Sequence, residues 1–145
     1  MDKVTVDHVN GGKGMKKRFF VMVGVLIILT TLLSGCMTSS YSGVNVSSAF
    51  LPDHWSISAS SINGYFSKTV NFSADQMAAL QVKNTNSDGT VTLTLAQGST
   101  VKTFDVSGTY EGNIDMSAFT TGKISMRLDF GSAKEVKTTM SWSPR

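Results

Sequence analysis

The stretch Ile124-Ser125-Met126-Arg127-Leu128-Asp129-Phe130 alternates four large apolar residues with three polar ones. A period of two puts every apolar side chain on one face of an extended strand, which the 3.6-residue repeat of a helix cannot do. Val91-Thr92-Leu93-Thr94-Leu95 repeats the pattern, with threonines on the wet face, where β-branched residues fit a pleated surface. Further pairs in phase are Val70 and Phe72, Leu80 and Val82, Phe104 and Val106, Ile114 and Met116, and the run from Val136 through Met140 to Trp142. Turn residues separate these runs at Asn86-Ser87-Asp88-Gly89, Gln97-Gly98-Ser99, Ser107-Gly108, Thr121-Gly122 and Gly131-Ser132. Glycine supplies the positive φ that hairpin turns demand there. Strands at intervals of about 8–12 residues predict an all-β fold, an antiparallel β-sandwich or jelly roll of about seven or eight strands. Pro52 and Pro144 are the only prolines and fall outside the runs. Ser73-Ala74-Asp75-Gln76 has the spacing of a helical capping box, yet Leu80 and Val82 fit a strand, so the expectation is a turn over 73–76 followed by a strand.

Before this region the chain obeys a different rule. Lys16, Lys17 and Arg18 precede an apolar run from Phe19 to Leu33, and Ser34 and Gly35 follow it. Fifteen helical residues rise about 22 Å against a hydrocarbon core of about 30 Å, short for a spanning helix. The order of charged, apolar and small residues is that of an export signal, and it predicts a helical signal peptide over 15–35. Residues 1–14 end in Asn10-Gly11-Gly12-Lys13-Gly14, which purine-rich codons of a ribosome-binding site would encode. Met15 is therefore read as the true start, and 1–14 as an extension upstream of it.

Leu33-Ser34-Gly35-Cys36 resembles the lipobox of bacterial lipoproteins, and Cys36 is the only cysteine in the chain. The resemblance implies that the Cys36 thiol is diacylated and that the chain is cut between Gly35 and Cys36. It places the remainder on the extracytoplasmic face of the cell membrane, held there by its acyl groups. Each buried methylene adds about 0.8 kcal/mol, so two or three chains make the attachment lasting.

The formal charge of +3 and the pI near 9.1 suggest a nucleic-acid partner until the charges are located. The surplus lies before Cys36, and from Cys36 onward 8 basic side chains face 8 acidic ones. A neutral domain has no electrostatic footprint for a phosphate backbone, and no nucleic acid is expected. Residues 37–49, MTSSYSGVNVSSA, are rich in Ser and Thr and uncharged, so 36–49 reads as a lipidated flexible tether with a span of about 20 Å. The β-domain is expected over 50–145, in a mature chain long enough to bury a core without disulfides or metal.

An inventory of reactive side chains leaves little for catalysis. Beyond Cys36 there is one histidine, His54, and no second cysteine, so no zinc cluster and no cofactor site are expected. A Ser-His-Asp set would need His54 with Asp53 beside it, but adjacent residues of an extended chain point to opposite faces, and no Gly-x-Ser-x-Gly elbow is present. The eight carboxylates fall in turns or on polar strand phases, which leaves a hydrolase as the least favoured reading. Asp88 belongs to a turn and not to a calcium loop, because the other acidic positions of such a loop are missing.

Aromatic residues carry the expectation of binding. Trp55 and Trp142 share the phase of core residues and are read as buried, whereas Tyr65 and Tyr110 lie beside Gly64 and near Gly112, in expected loops, and are the candidate ligand-binding residues. From about Asn63 to Ser143, Thr90-Val91-Thr92-Leu93-Thr94-Leu95, Gly122-Lys123-Ile124-Ser125-Met126-Arg127-Leu128 and Met140-Ser141-Trp142-Ser143 are similar to strands of small Gram-positive surface lipoproteins of uncharacterised role. That resemblance implies fold and location but no activity. The expected function is a non-catalytic binding module for an envelope protein or polysaccharide. The alternative is a structural or regulatory lipoprotein, an assembly factor or inhibitor, that pairs through a sheet edge.

Overall fold

The structure, a computed structural model, describes residues 37–144. Cys36, the expected cleavage position between Gly35 and Cys36, and the segments 1–14 and 15–35 lie outside the described residues, as does Arg145. Eight antiparallel strands form one sheet: β1 (Thr38–Val44), β2 (Ser47–Leu51), β3 (His54–Phe72), β4 (Gln81–Thr85), β5 (Asp88–Gln97), β6 (Thr100–Asp105), β7 (Thr109–Asn113) and β8 (Gly122–Ser141). One short helix, α1 (Ala74–Ala78), links β3 to β4. The all-β antiparallel architecture agrees with the alternation in the sequence.

The eight strands are five passes of chain. β1 and β2 both pair with β3, β4 and β5 both pair with β8, and β7 and β6 continue the order beyond β4 and β5. The long strands β3 and β8 pair with each other along almost their whole length. The pairing is broken along one line crossing the sheet: β1 and β2 part at Asn45, β4 and β5 at Asn86 to Ser87 and β6 and β7 near Gly108, while β3 and β8 run on through it with Ser60 and Glu135 left out of their ladder. Hydrogen bonds run along that line: Asn45 Nδ2 donates to Ser60 Oγ at 3.0 Å, Ser87 N to the Lys134 carbonyl at 2.9 Å and Asn86 N to the Gly108 carbonyl at 3.0 Å. Asn45, Ser132 and Glu135 have positive φ, which re-aims the chain as β-bulges do.

This line is a crease, and the sheet folds over along it. An extended strand would put Trp55 and Phe72 about 56 Å apart. Trp142, whose backbone N donates to the Asp53 carbonyl beside the start of β3, instead meets Phe72 edge to face at the end of β3, with ring centroids 5.6 Å apart. The two half-sheets therefore face each other, and their inner sides form one sandwich-like core. Its fully buried members include Trp55, Phe66, Leu93, Met126 and Trp142. Inward phase shows the crease as well: Phe130, Ala133 and Val136 on β8 are buried at intervals of three, not two.

Four local expectations change. Residues 38–44 and 47–51 are strands bonded to β3, not a flexible tether. An edge strand with both sides exposed needs no apolar alternation, so its Ser-rich sequence resembles linker. Asn86 to Gly89, Ser107-Gly108 and Gly131-Ser132 lie along or beside the crease inside continuing passes, and among the five expected turns Gln97 to Ser99 is the one that closes a hairpin between paired strands. Residues 74–78 form a helical turn because the capping box closes: Gln76 N donates to Ser73 Oγ at 3.3 Å and Ser73 N to Gln76 Oε1 at 3.0 Å. Tyr65 and Tyr110 lie within strands β3 and β7, not in loops.

Gly64 lies opposite Tyr41 where β1 pairs closely with β3. Its φ is +129°, and a Cβ there would overlap the Ser40 carbonyl and stand 2.6 Å from Tyr41 Cα. Gly64→Ala is expected to cost about 2 kcal/mol, moderated because the edge strand β1 can give way. Urea unfolding measures the loss, and faster amide exchange confined to 38–44 would locate it.

Candidate functional site

The register of β3, β8 and β5 decides which side chains leave the core. With Phe66, Leu128 and Leu93 inward, their neighbours Tyr65, Ser67, Arg127, Asp129, Thr92 and Thr94 point out on the opposite face. Cross-strand pairing sets Ser40, Tyr65, Asp129 and Thr92 in one row and Thr38, Ser67, Arg127 and Thr94 in the next. The result is a face of hydroxyls around one aromatic ring and one ion pair.

Arg127 holds the centre. Its guanidinium lies 3.8 Å from the centroid of the Tyr65 ring, a cation–π stack. Nε donates to both Asp129 carboxylate oxygens at 2.9 Å, and Nη2 donates to Oδ1 at 2.7 Å. These bonds to Asp129 raise the Arg127 pKa further above its ordinary value. They occupy Nε and Nη2, and no described residue accepts a hydrogen bond from Nη1. A fixed guanidinium with free donors, a fixed carboxylate and surrounding hydroxyls form a preorganised hydrogen-bonding surface.

The two candidate tyrosines are not brought together. Tyr65 belongs to the outer face, with Arg127 covering its ring. Tyr110 lies opposite buried Asn84 on β4, so it shares the inward phase and packs against the core. Trp55 and Trp142 are both buried, as their phase predicts. Sequence reading missed Arg127 and Asp129, although their spacing of two already placed them on one face of a strand.

A second polar cluster lies where Ser143 meets the turn between β2 and β3. Asp53 and His54 are in contact, with Nδ1 3.3 Å from Oδ1, although neighbours on an extended strand would diverge. Asp53 sits in the turn before β3, which swings its carboxylate back. Ser143 Oγ donates to the other carboxylate oxygen at 3.1 Å. The Ser143 hydroxyl bond, and then that of His54, hold the Asp53 carboxyl below its ordinary pKa. The carboxylate stands between hydroxyl and imidazole, whereas nucleophile activation needs the imidazole between the other two. The cluster ties the C-terminal segment to the start of β3.

Three surface depressions of about 550, 370 and 220 Å³ are lined by Ser, Ala, Asn, Thr, Lys and other non-aromatic residues. Among the described residues no group of three His, Cys, Asp or Glu side chains could hold a metal ion, and no helix is long and apolar enough to cross a membrane. No protein-family model matches the chain, and no curated protein matches it.

Proposed function

We propose that this chain is an exported, lipid-anchored protein of the cell envelope that works by non-catalytic binding of an envelope partner, a polysaccharide or protein, on the outer face around Tyr65, Arg127 and Asp129. Export and anchoring rest on the signal-like segment 15–35 and on Cys36. Binding rests on one observation, the locked stack of Arg127 on Tyr65 and its two-nitrogen bond to Asp129, set among hydroxyls on a neutral domain. Holding these groups fixed before contact removes ordering cost from association, and a hydroxyl-rich or amide-rich ligand matches their donors and acceptor.

Anchoring and binding are tested separately. Cys36→Ser is expected to abolish palmitate incorporation and to release the protein from the membrane fraction. Wild-type protein is then screened on glycan arrays and in pull-downs from envelope extracts. Tyr65→Ala is expected to weaken capture roughly tenfold, the worth of one aromatic contact of about 1.4 kcal/mol. Tyr110→Ala, on the inner face, should lower stability and leave capture intact. A wild-type protein that captures nothing in either screen overturns the binding reading.

A further inference from the structure

The two outer edges of the sheet differ. The edge formed by β6 and β7 carries Lys102, Asp105 and Glu111, charges that hinder an incoming strand. The edge formed by β1 and β2 carries none, and no charged residue occurs from Met37 to Leu51. Among the described residues, no strand pairs with the outer side of β1 or β2. The large apolar side chains left exposed gather there too. Met37, Tyr41, Val44 and Leu51 are 43–56% exposed, and the fifth such residue, Val101, at 57%, is on the opposite edge.

We infer that the β1–β2 edge lies against the bilayer surface, in the headgroup layer, so that the domain rests flush on the membrane. This rests on the lipid-anchored reading of Cys36. Thr38, the first residue of β1, follows Cys36 by two residues, and two residues reach at most about 7 Å. With 38–51 built into the sheet, no tether remains to lift the domain away. Tyr41 belongs to the inward phase of the edge while Val44 and Leu51 belong to the outward phase, so apolar groups leave it on both sides. An interface that surrounds the edge accommodates both sets, whereas a single added strand would pair with main chain and leave them in water. A tyrosine suits the headgroup boundary, and the free main-chain groups of the edge stay hydrated there, as they would not in hydrocarbon. No side chain of 37–51 carries a charge whose removal from water would cost energy, and the nearby Lys68 ammonium lies over the Phe50 ring.

The test uses the full-length chain purified from membranes of a bacterial host and placed in phosphatidylcholine–phosphatidylglycerol vesicles. Acylation consumes the Cys36 thiol, so Val44→Cys, Leu51→Cys and Val101→Cys each present one labelling site for a fluorophore. Nitroxide lipids are expected to quench labels at 44 and 51 several-fold more than at 101. Equal quenching at all three positions, with the protein still bound, overturns the edge inference and leaves the anchor standing. A chain that neither incorporates palmitate nor partitions to membranes overturns both. Two further outcomes overturn the edge inference alone. One is pyrene excimer emission from position 44, which marks a second copy on the edge. The other is a label there unquenched by lipid yet shielded from aqueous iodide, which marks a partner strand.

Discussion

Trp142→Ala is expected to lower the stability of the domain by about 3–5 kcal/mol, the range for truncating a fully buried large aromatic. The residue closes the sandwich. Its ring meets Phe72 at 5.6 Å and Phe50 at 5.8 Å, and these come from the two half-sheets. Its indole Nε1 donates to the Pro52 carbonyl at 2.9 Å and its backbone N to the Asp53 carbonyl at 2.9 Å. Removing the ring leaves a cavity where the halves touch and strands the Pro52 carbonyl. Trp142→Phe keeps most of the contact and should cost clearly less. Urea unfolding followed by circular dichroism measures both, and a loss below about 1 kcal/mol for the alanine variant would contradict the closing role.

Asn84→Ala is expected to cost about 3 kcal/mol, although asparagine contributes little apolar surface. Asn84 and Thr138 are the buried polar residues of the described core. Asn84 Nδ2 donates to Asn86 Oδ1 and to the Val106 carbonyl at 2.8 Å each, with the Gly108 carbonyl at 3.3 Å, while Oδ1 accepts from Thr138 Oγ1 at 2.6 Å. One amide thus joins β4, β8 and the segment after β6 beside the crease. Alanine there leaves the Thr138 hydroxyl and the Val106 carbonyl unpaired in the core, and unsatisfied buried groups cost more than the bonds contributed. In the double variant Asn84→Ala with Thr138→Val, part of the loss should return, because the stranded hydroxyl is gone. A cycle of the four proteins measures that coupling.

The strand alternation was legible because each half-buried strand advertises its phase. Ile124 to Phe130 and Val91 to Leu95 lie in strands, with their apolar members buried. The crease was harder to read, since the Gly, Asn and Ser residues that bend a continuing strand are those that reverse a chain. What separates the two cases is whether the flanking strands pair with each other, and pairing is non-local. A local clue existed in the three-residue intervals from Phe130 to Ala133 and Val136, a slip of phase that a hairpin does not require. β1 was illegible for another reason: all seven of its residues are exposed, so no amphipathic pattern could form. At the candidate site, Arg127 and Asp129 were visible as an i, i+2 pair, but the strand bringing Tyr65 beneath the guanidinium was fixed only by register.

The order of the passes also decides when this domain can form. β8, the last strand, lies at the middle of the sheet, between β3 on one side and β4 with β5 on the other. Until Gly122–Ser141 arrives, the β1–β3 and β4–β7 portions lack the partner that joins them. A nascent chain halted before residue 122 holds two ribbons with no shared core, so the domain assembles only after residues 122–141 have left the ribosome.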